Sequence, residues 1–175
     1  MEQQLSYKPV TAQAIVTVDV LVVRLLNQEP ELLLIQRGKD PFKGAWALPG
    51  GKLADEDASL EAAALRELRE ETGLVLPPSL KLKQMQTFGN RDRDPQPGRW
   101  VSVVFYAPII HAPRWQQLGE ICAGDDARDA RWFPVASLPE MAFDHRAIAG
   151  QAFSSRFLNV DRPFRSAGWP SYRRG

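Results

Sequence analysis

The chain has one cysteine, Cys122, and two histidines, His111 and His145, among its 175 residues. A lone thiol excludes an internal disulfide and fits a reducing, cytoplasmic setting. A catalytic thiolate needs a base beside it, and those two histidines are the whole supply, so an inert or buried cysteine is the simpler reading. No apolar run is long enough to span a bilayer. The start, Met1-Glu2-Gln3-Gln4, carries an acid and no apolar stretch, unlike a secretion signal. Surplus charge is missing too: a formal net charge of +1 gives no global reason to expect nucleic acid or an anionic membrane as partner. Internal repeats are absent. What remains is ordinary for a globular protein, with 44% hydrophobic and 25% charged residues. The length suits one domain with a real core.

The pattern predicts a domain over 14–158, preceded by a leader over 1–13 and followed by an irregular tail over 159–175 that contains Pro163, Gly168 and Pro170. Ala14 to Leu26 is rich in Val, Ile and Leu and reads as a strand buried on both sides. Asn27-Gln28-Glu29-Pro30 is a turn. Leu32 to Arg37 reads as a second strand, antiparallel to the first because the link is short. Lys39 to Lys52 reads as a loop, and Ser59 to Thr72 as a helix with an apolar side of Leu60, Ala64, Leu65 and Leu68. Leu82–Phe88, Val101–Ile110 and Ala130–Val135 are further strands, and Asp144–Phe157 a C-terminal helix. Mixed strands with helices packed on them predict an α/β/α sandwich.

The densest chemistry lies in Gly50-Gly51-Lys52 and Arg66-Glu67-Leu68-Arg69-Glu70-Glu71-Thr72-Gly73-Leu74. On a helix, Glu67, Glu70 and Glu71 stand at i, i+3 and i+4 and share a face. Carboxylates that close repel unless a cation sits among them. Hard divalent cations take oxygen ligands, commonly one or two carboxylates plus substrate phosphates. The run therefore reads as a metal site acting on a phosphate ester. Against this stands the plainer reading of a solvated helix face with an Arg66–Glu70 pair. The paired glycines after Leu48-Pro49 favour the site, because they let the backbone approach a ligand closely. Gly73 stands where a helix ends on a left-handed residue.

The segment Gly50–Leu74 resembles the Nudix box of the Nudix hydrolases: Gly, five residues, Glu, seven residues, Arg-Glu, an aliphatic, any residue, Glu-Glu, any residue, Gly, an aliphatic. The half from Arg66 to Leu74 matches at every fixed position. The first half departs, with Ala58 standing where the pattern has Glu and Lys52 where it has Gly. One extra residue in Leu53-Ala54-Asp55-Glu56-Asp57 restores the glycine and leaves Glu56 or Asp57 near the missing acid. Either Ser59 or Asp57 then caps the helix. Further stretches resemble the ADP-ribose-type members: Thr87 to Pro95, Gly98-Arg99, Val101 to Tyr106, Gly124 to Ala127, Ala130 to Pro134 and Leu138 to His145.

The resemblance implies the Nudix fold, an α/β/α sandwich with a mixed sheet and a loop-helix-loop. It implies one to three Mg²⁺ or Mn²⁺ ions held by Glu67, Glu70 and Glu71, with Gly51 as a further ligand. The general base is Glu67 or Glu71 on the helix, or Glu120, Asp125 or Asp126 on a later loop, with Glu67 preferred. Arg66 pairs with an acid of its own helix and orients it. Arg37, Arg91, Arg93 and Arg99 are candidate phosphate contacts, or ordinary surface charge balanced by Asp92 and Asp94. Phe42 and Trp46 are candidates to stack on a base, against a packing role for each. His145 is read as a structural, hydrogen-bonded histidine. The expected substrate is a small nucleotide, ADP-ribose first, giving AMP and ribose 5-phosphate. A modified nucleoside triphosphate is the alternative substrate, and a non-catalytic ADP-ribose sensor the alternative class. Sensors of that kind add a winged helix, for which the residues after Gly150 leave too little length. Relatives also make a homodimer an expected partner.

Overall fold

The computed structural model describes residues 13–27, 29–109, 121–124 and 126–154. Its centre is β1, Ala14–Leu26, whose residues 18–23 are all buried. β1 turns through Asn27, at a φ of 51° that asparagine tolerates, into the antiparallel β2, Glu29–Arg37. β2 starts three residues earlier than the apolar pattern indicates. Arg24 stands opposite Glu31 and their ion pair, 2.6 Å, extends the ladder beyond the hydrophobic run.

The stretch after β2 is not all loop. Two short strands interrupt it, β3 (Trp46–Ala47) on β2 and β4 (Gly50–Lys52) antiparallel to the start of β1. Strands of two and three residues show no periodicity, which is why the sequence hides them. β5, Lys83–Phe88, pairs with β6, Arg99–Ile109, and β6 runs parallel to β1 from Ala14↔Arg99 to Arg24↔Ile109. β7, Ala127–Pro134, joins β2. The result is one mixed seven-stranded sheet.

The helix α1, Leu60–Thr72, is capped as local chemistry dictates. Ser59 is extended and its hydroxyl accepts from the Ala62 N–H at 3.1 Å, so Ser59 and not Asp57 is the N-cap. Gly73, at a φ of 69°, closes the other end by donating to the Arg69 carbonyl. Alternation along β1 sends Val18, Val20 and Val22 to the face that α1 covers with Ala63, Ala64 and Leu68. Leu21 and Val23 point to the other face, where α2, His145–Ser154, supplies Ile148, Ala149 and Ala152. The expected α/β/α sandwich is the observed fold. Among the described residues no helix is long and apolar enough to cross a membrane. The leader before residue 13, the tail over 159–175 and the end of the expected C-terminal helix lie outside the described residues.

Leu65 corrects one expectation. It is 38% exposed, while Glu71 and Thr72 are buried. The sheet touches a stripe through Ala64, Leu68, Glu71 and Thr72, and Leu65 stands about 100° from Ala64 on the helix wheel. Urea denaturation should separate the two leucines. Leu68→Ala should cost about 2–5 kcal/mol, and Leu65→Ala less than about 0.5 kcal/mol.

Candidate active site

A cavity of about 370 Å³ opens between the end of α1, the β4 loop and the 89–98 segment. β4 is laid against β1 by the pairs Thr17↔Lys52, Val18↔Gly51 and Asp19↔Gly50. α1 then packs against β4, so two of its acids face the glycines. The Gly50 N–H donates to Glu71 Oε2 at 2.8 Å. A methyl group at position 51 would run into the Glu67 carboxylate and displace it, so glycine is what lets that carboxylate lie against the turn. Glu67 and Glu71 both line the cavity. Burial pushes the Glu71 carboxyl up to about 8; the Gly50 hydrogen bond opposes this, and the charges of Glu67 and Asp19 add to it.

Glu70 departs from the expected three-acid face. Its carboxylate turns to Arg66, 3.1 Å away, and to Arg69 at 3.6 Å, and it does not line the cavity. The i, i+4 attraction to Arg66 accounts for this. Among the described residues no three His, Cys, Asp or Glu side chains form a ready-made metal cage. The donor chemistry still fits a divalent cation. Two carboxylates face one glycine turn, one of them favouring the neutral form because burial desolvates it. That is the number of protein carboxylates Mg²⁺ commonly takes when phosphate oxygens complete its shell.

Arg66 bonds to three acids. It donates to Glu67 Oε1 at 2.8 Å and to Glu70 Oε2 at 3.1 Å. It also grips Asp57 with two parallel bonds, 2.9 Å to Oδ1 and 2.8 Å to Oδ2. Of the two acids near the gap in the box, Asp57 makes this contact; Asp57 Oδ2 also accepts from the Ala54 N–H, which folds the longer loop back to the helix.

Of the other expected residues, Arg37 lines the cavity, donates to the Pro41 carbonyl at 2.8 Å and lies 4.7 Å over the Phe143 ring. Arg93 also lines it, but is buried and bound through Nε and Nη2 to Asp144. Asp126 lines it and pairs with Lys39. Arg91 and Arg99 are exposed and lie outside the cavity wall. The Trp46 ring packs edge-on against Phe133 at 4.6 Å within the α2-side core, and Phe42 packs against Phe143 at 4.9 Å. Neither lines the cavity. Glu120 and Asp125 lie outside the described residues.

Asp19 is the residue the sequence reading passed over. It is buried at the cavity floor and accepts from the Ser102 hydroxyl; His145 Nε2 lies 3.5 Å away and Arg93 Nη2 3.9 Å. One acid inside the run Val18-Asp19-Val20-Leu21 was the available signal, since a buried carboxylate is rare without partners. Lys52 and Trp100 also line the wall, 5.3 Å apart as cation and ring.

The NUDIX domain model matches residues 16–153. The chain belongs to the Nudix hydrolase family. It is 40% identical over 129 residues to an ADP-ribose pyrophosphatase of Methanocaldococcus jannaschii, covering 74% of this chain and 69% of that one. It is 34% identical over 143 residues to the ADPR responsive transcriptional repressor NtrR of Acinetobacter baylyi, covering 80% of this chain and 53% of the repressor, so it spans about half of that relative. The NUDIX domain of Shewanella oneidensis NrtR, solved with ADP ribose, superposes with a TM-score of 0.70 at 33% identity, over 85% of this chain and 93% of that domain.

The Arg66 grip holds the Asp57 carboxyl at about 2, with the Ala54 N–H helping. A carboxyl lowered in the folded state contributes stability above its unfolded value and loses it as pH falls through the folded one. The Asp57–Arg66 pair should therefore survive at pH 3 and break as pH drops through about 2. A carboxyl-carbon NMR titration of Asp57 with a midpoint near 4 would contradict the geometry.

Proposed function

We propose that the chain is a divalent-cation-dependent hydrolase that cleaves the pyrophosphate of a nucleoside diphosphate derivative, with ADP-ribose, giving AMP and ribose 5-phosphate, as the first substrate. One observation carries this: Glu67 and Glu71 meet the Gly50–Gly51 turn in a cavity that Arg37, Lys39, Lys52 and Arg93 also line. Paired acids able to hold a cation, with cationic side chains lining the same cavity, suit a ligand that carries two phosphates. The likeness to an ADP-ribose pyrophosphatase and to an ADP-ribose-bound domain supports the choice of ligand.

Glu67, Glu71 and the Gly51 carbonyl would hold Mg²⁺ or Mn²⁺, with Glu70 as an outer acid through Arg66. When bound there, the cation supplies charge screening for the pyrophosphate and acidifies water. The chain's own groups do the rest. The Gly50 N–H fixes Glu71. Arg66 orients the Glu67 carboxylate through a 2.8 Å bond, and Asp57 holds Arg66 from behind. Glu67 takes the proton of the attacking water as its oxygen bonds to phosphorus. The P–O bond to the bridging oxygen breaks, and the second phosphate leaves with that oxygen. Arg37 and Lys52 offset charge on the phosphates.

Glu67→Gln should lower kcat by about 10²–10⁴-fold, the scale of a lost general base, with little change in melting temperature. Glu71→Gln keeps an acceptor for the Gly50 N–H and should abolish cation-dependent turnover while leaving the fold intact. Near-normal activity in both variants would overturn the assignment.

Incubating the pure protein with Mg²⁺ and, in turn, ADP-ribose, NADH, diadenosine polyphosphates and nucleoside triphosphates tests the substrate. AMP released mainly from ADP-ribose supports the proposal, and pyrophosphate released from a triphosphate replaces it. Tight binding of ADP-ribose without product in any cation would point to a sensor like the repressor relative.

A further inference from the structure

The loop Leu48–Gly51 is pinned at three successive residues by three parts of the fold. The Pro49 carbonyl accepts from the Val20 N–H at 2.8 Å. The Gly50 N–H goes to Glu71 on α1. The Leu48 N–H goes to His145 Nδ1 at 3.0 Å, a buried bond that joins the loop to the first residue of α2. His145 lies outside the box, and the reaction above does not use it.

The bond fixes the histidine's tautomer. A backbone amide only donates, so Nδ1 must carry a lone pair. The ring proton of the neutral imidazole then sits on Nε2, whose nearest carboxylate is Asp19, with Oδ1 3.5 Å away. Asp19 Oδ2 is in turn held by the Ser102 hydroxyl on β6, with Arg93 Nη2 at 3.9 Å. Asp19 also stands opposite Gly50 in the β1–β4 ladder, so the carboxylate that orders the ring lies directly under the turn the ring helps hold. The pair is almost fully buried, His145 at 4% and Asp19 at 6% exposed.

We propose that His145 and Asp19 are positioning residues for the glycine turn: Asp19 selects the Nε2–H tautomer, and His145 Nδ1 then seats Leu48 so that Gly50 and Gly51 meet Glu71 and Glu67. The effect on turnover rests on the hydrolase reading; the tautomer and the seat do not.

Two variants separate the seat from bulk packing. Asn at 145 places an oxygen near the Nδ1 position and keeps an acceptor for Leu48. Gln reaches toward the Nε2 position and loses it. In the wild-type protein, ¹⁵N NMR should show a protonated Nε2 and a bare Nδ1. The Leu48 amide should exchange about tenfold faster in His145→Gln and within about threefold of wild type in His145→Asn. With ADP-ribose, kcat should fall in the same order while KM moves less than about threefold.

A protonated Nδ1 in the wild type overturns the proposal, and so do equal Leu48 exchange rates in the two variants. If neither variant folds, the wild-type tautomer decides. An inactive wild type with the Leu48 result intact sinks the hydrolase reading alone. An active enzyme whose His145→Gln form turns over normally sinks the positioning role alone.

Discussion

Three carboxylates from two elements crowd one glycine turn, and most of the site's architecture answers their repulsion. Asp19 rises from β1, and Glu67 and Glu71 descend from α1. Each has a different partner: the Ser102 hydroxyl, the Arg66 guanidinium and the Gly50 N–H. These partners offset only part of the cost, since Glu71 remains biased toward its neutral form.

Packing makes that crowding possible. The residues that set α1 against the sheet, Ala63, Ala64 and Leu68, are small or well buried, so the helix sits close enough for its last turn to reach β4. The Ser59 cap and the Gly73 terminus fix where the helix begins and ends. The same face therefore carries core residues in its middle and the cavity-lining acids at its end. Asp57, in the longer loop of this chain, reaches Arg66 where the family pattern would use a glutamate one residue later.

Much of this was legible before any coordinates. The bounds of β1 and the last residue of α1 follow from apolar patterning and Gly73, and the box in its second half is a pattern of residue types at fixed spacing. What escaped had physical reasons. Short strands such as β3 and β4 owe their existence to partners and not to propensity. Leu65 fitted a helical stripe, but the sheet's contact line runs past Glu71 and Thr72 instead. Glu70 shares a face with its neighbours, yet spacing alone does not reveal which acid an arginine draws away. Asp19 needed three-dimensional knowledge of Ser102, Arg93 and His145, which lie more than 70 positions away along the chain.

The segment from Gly89 to Gly98 borders the cavity through Arg93, Asp94 and Gln96. Such a border is the natural place for a lineage to exchange one preference for another. Here Arg93 ties it down, because that side chain is the cation between Asp19 and Asp144. A transplanted segment lacking an arginine at that point would leave Asp19 and Asp144 without the cation between them, with only Ser102 and His145 beside Asp19. Recruitment of new chemistry through this border is thus confined to the residues on either side of Arg93, and the arginine travels with any graft that folds.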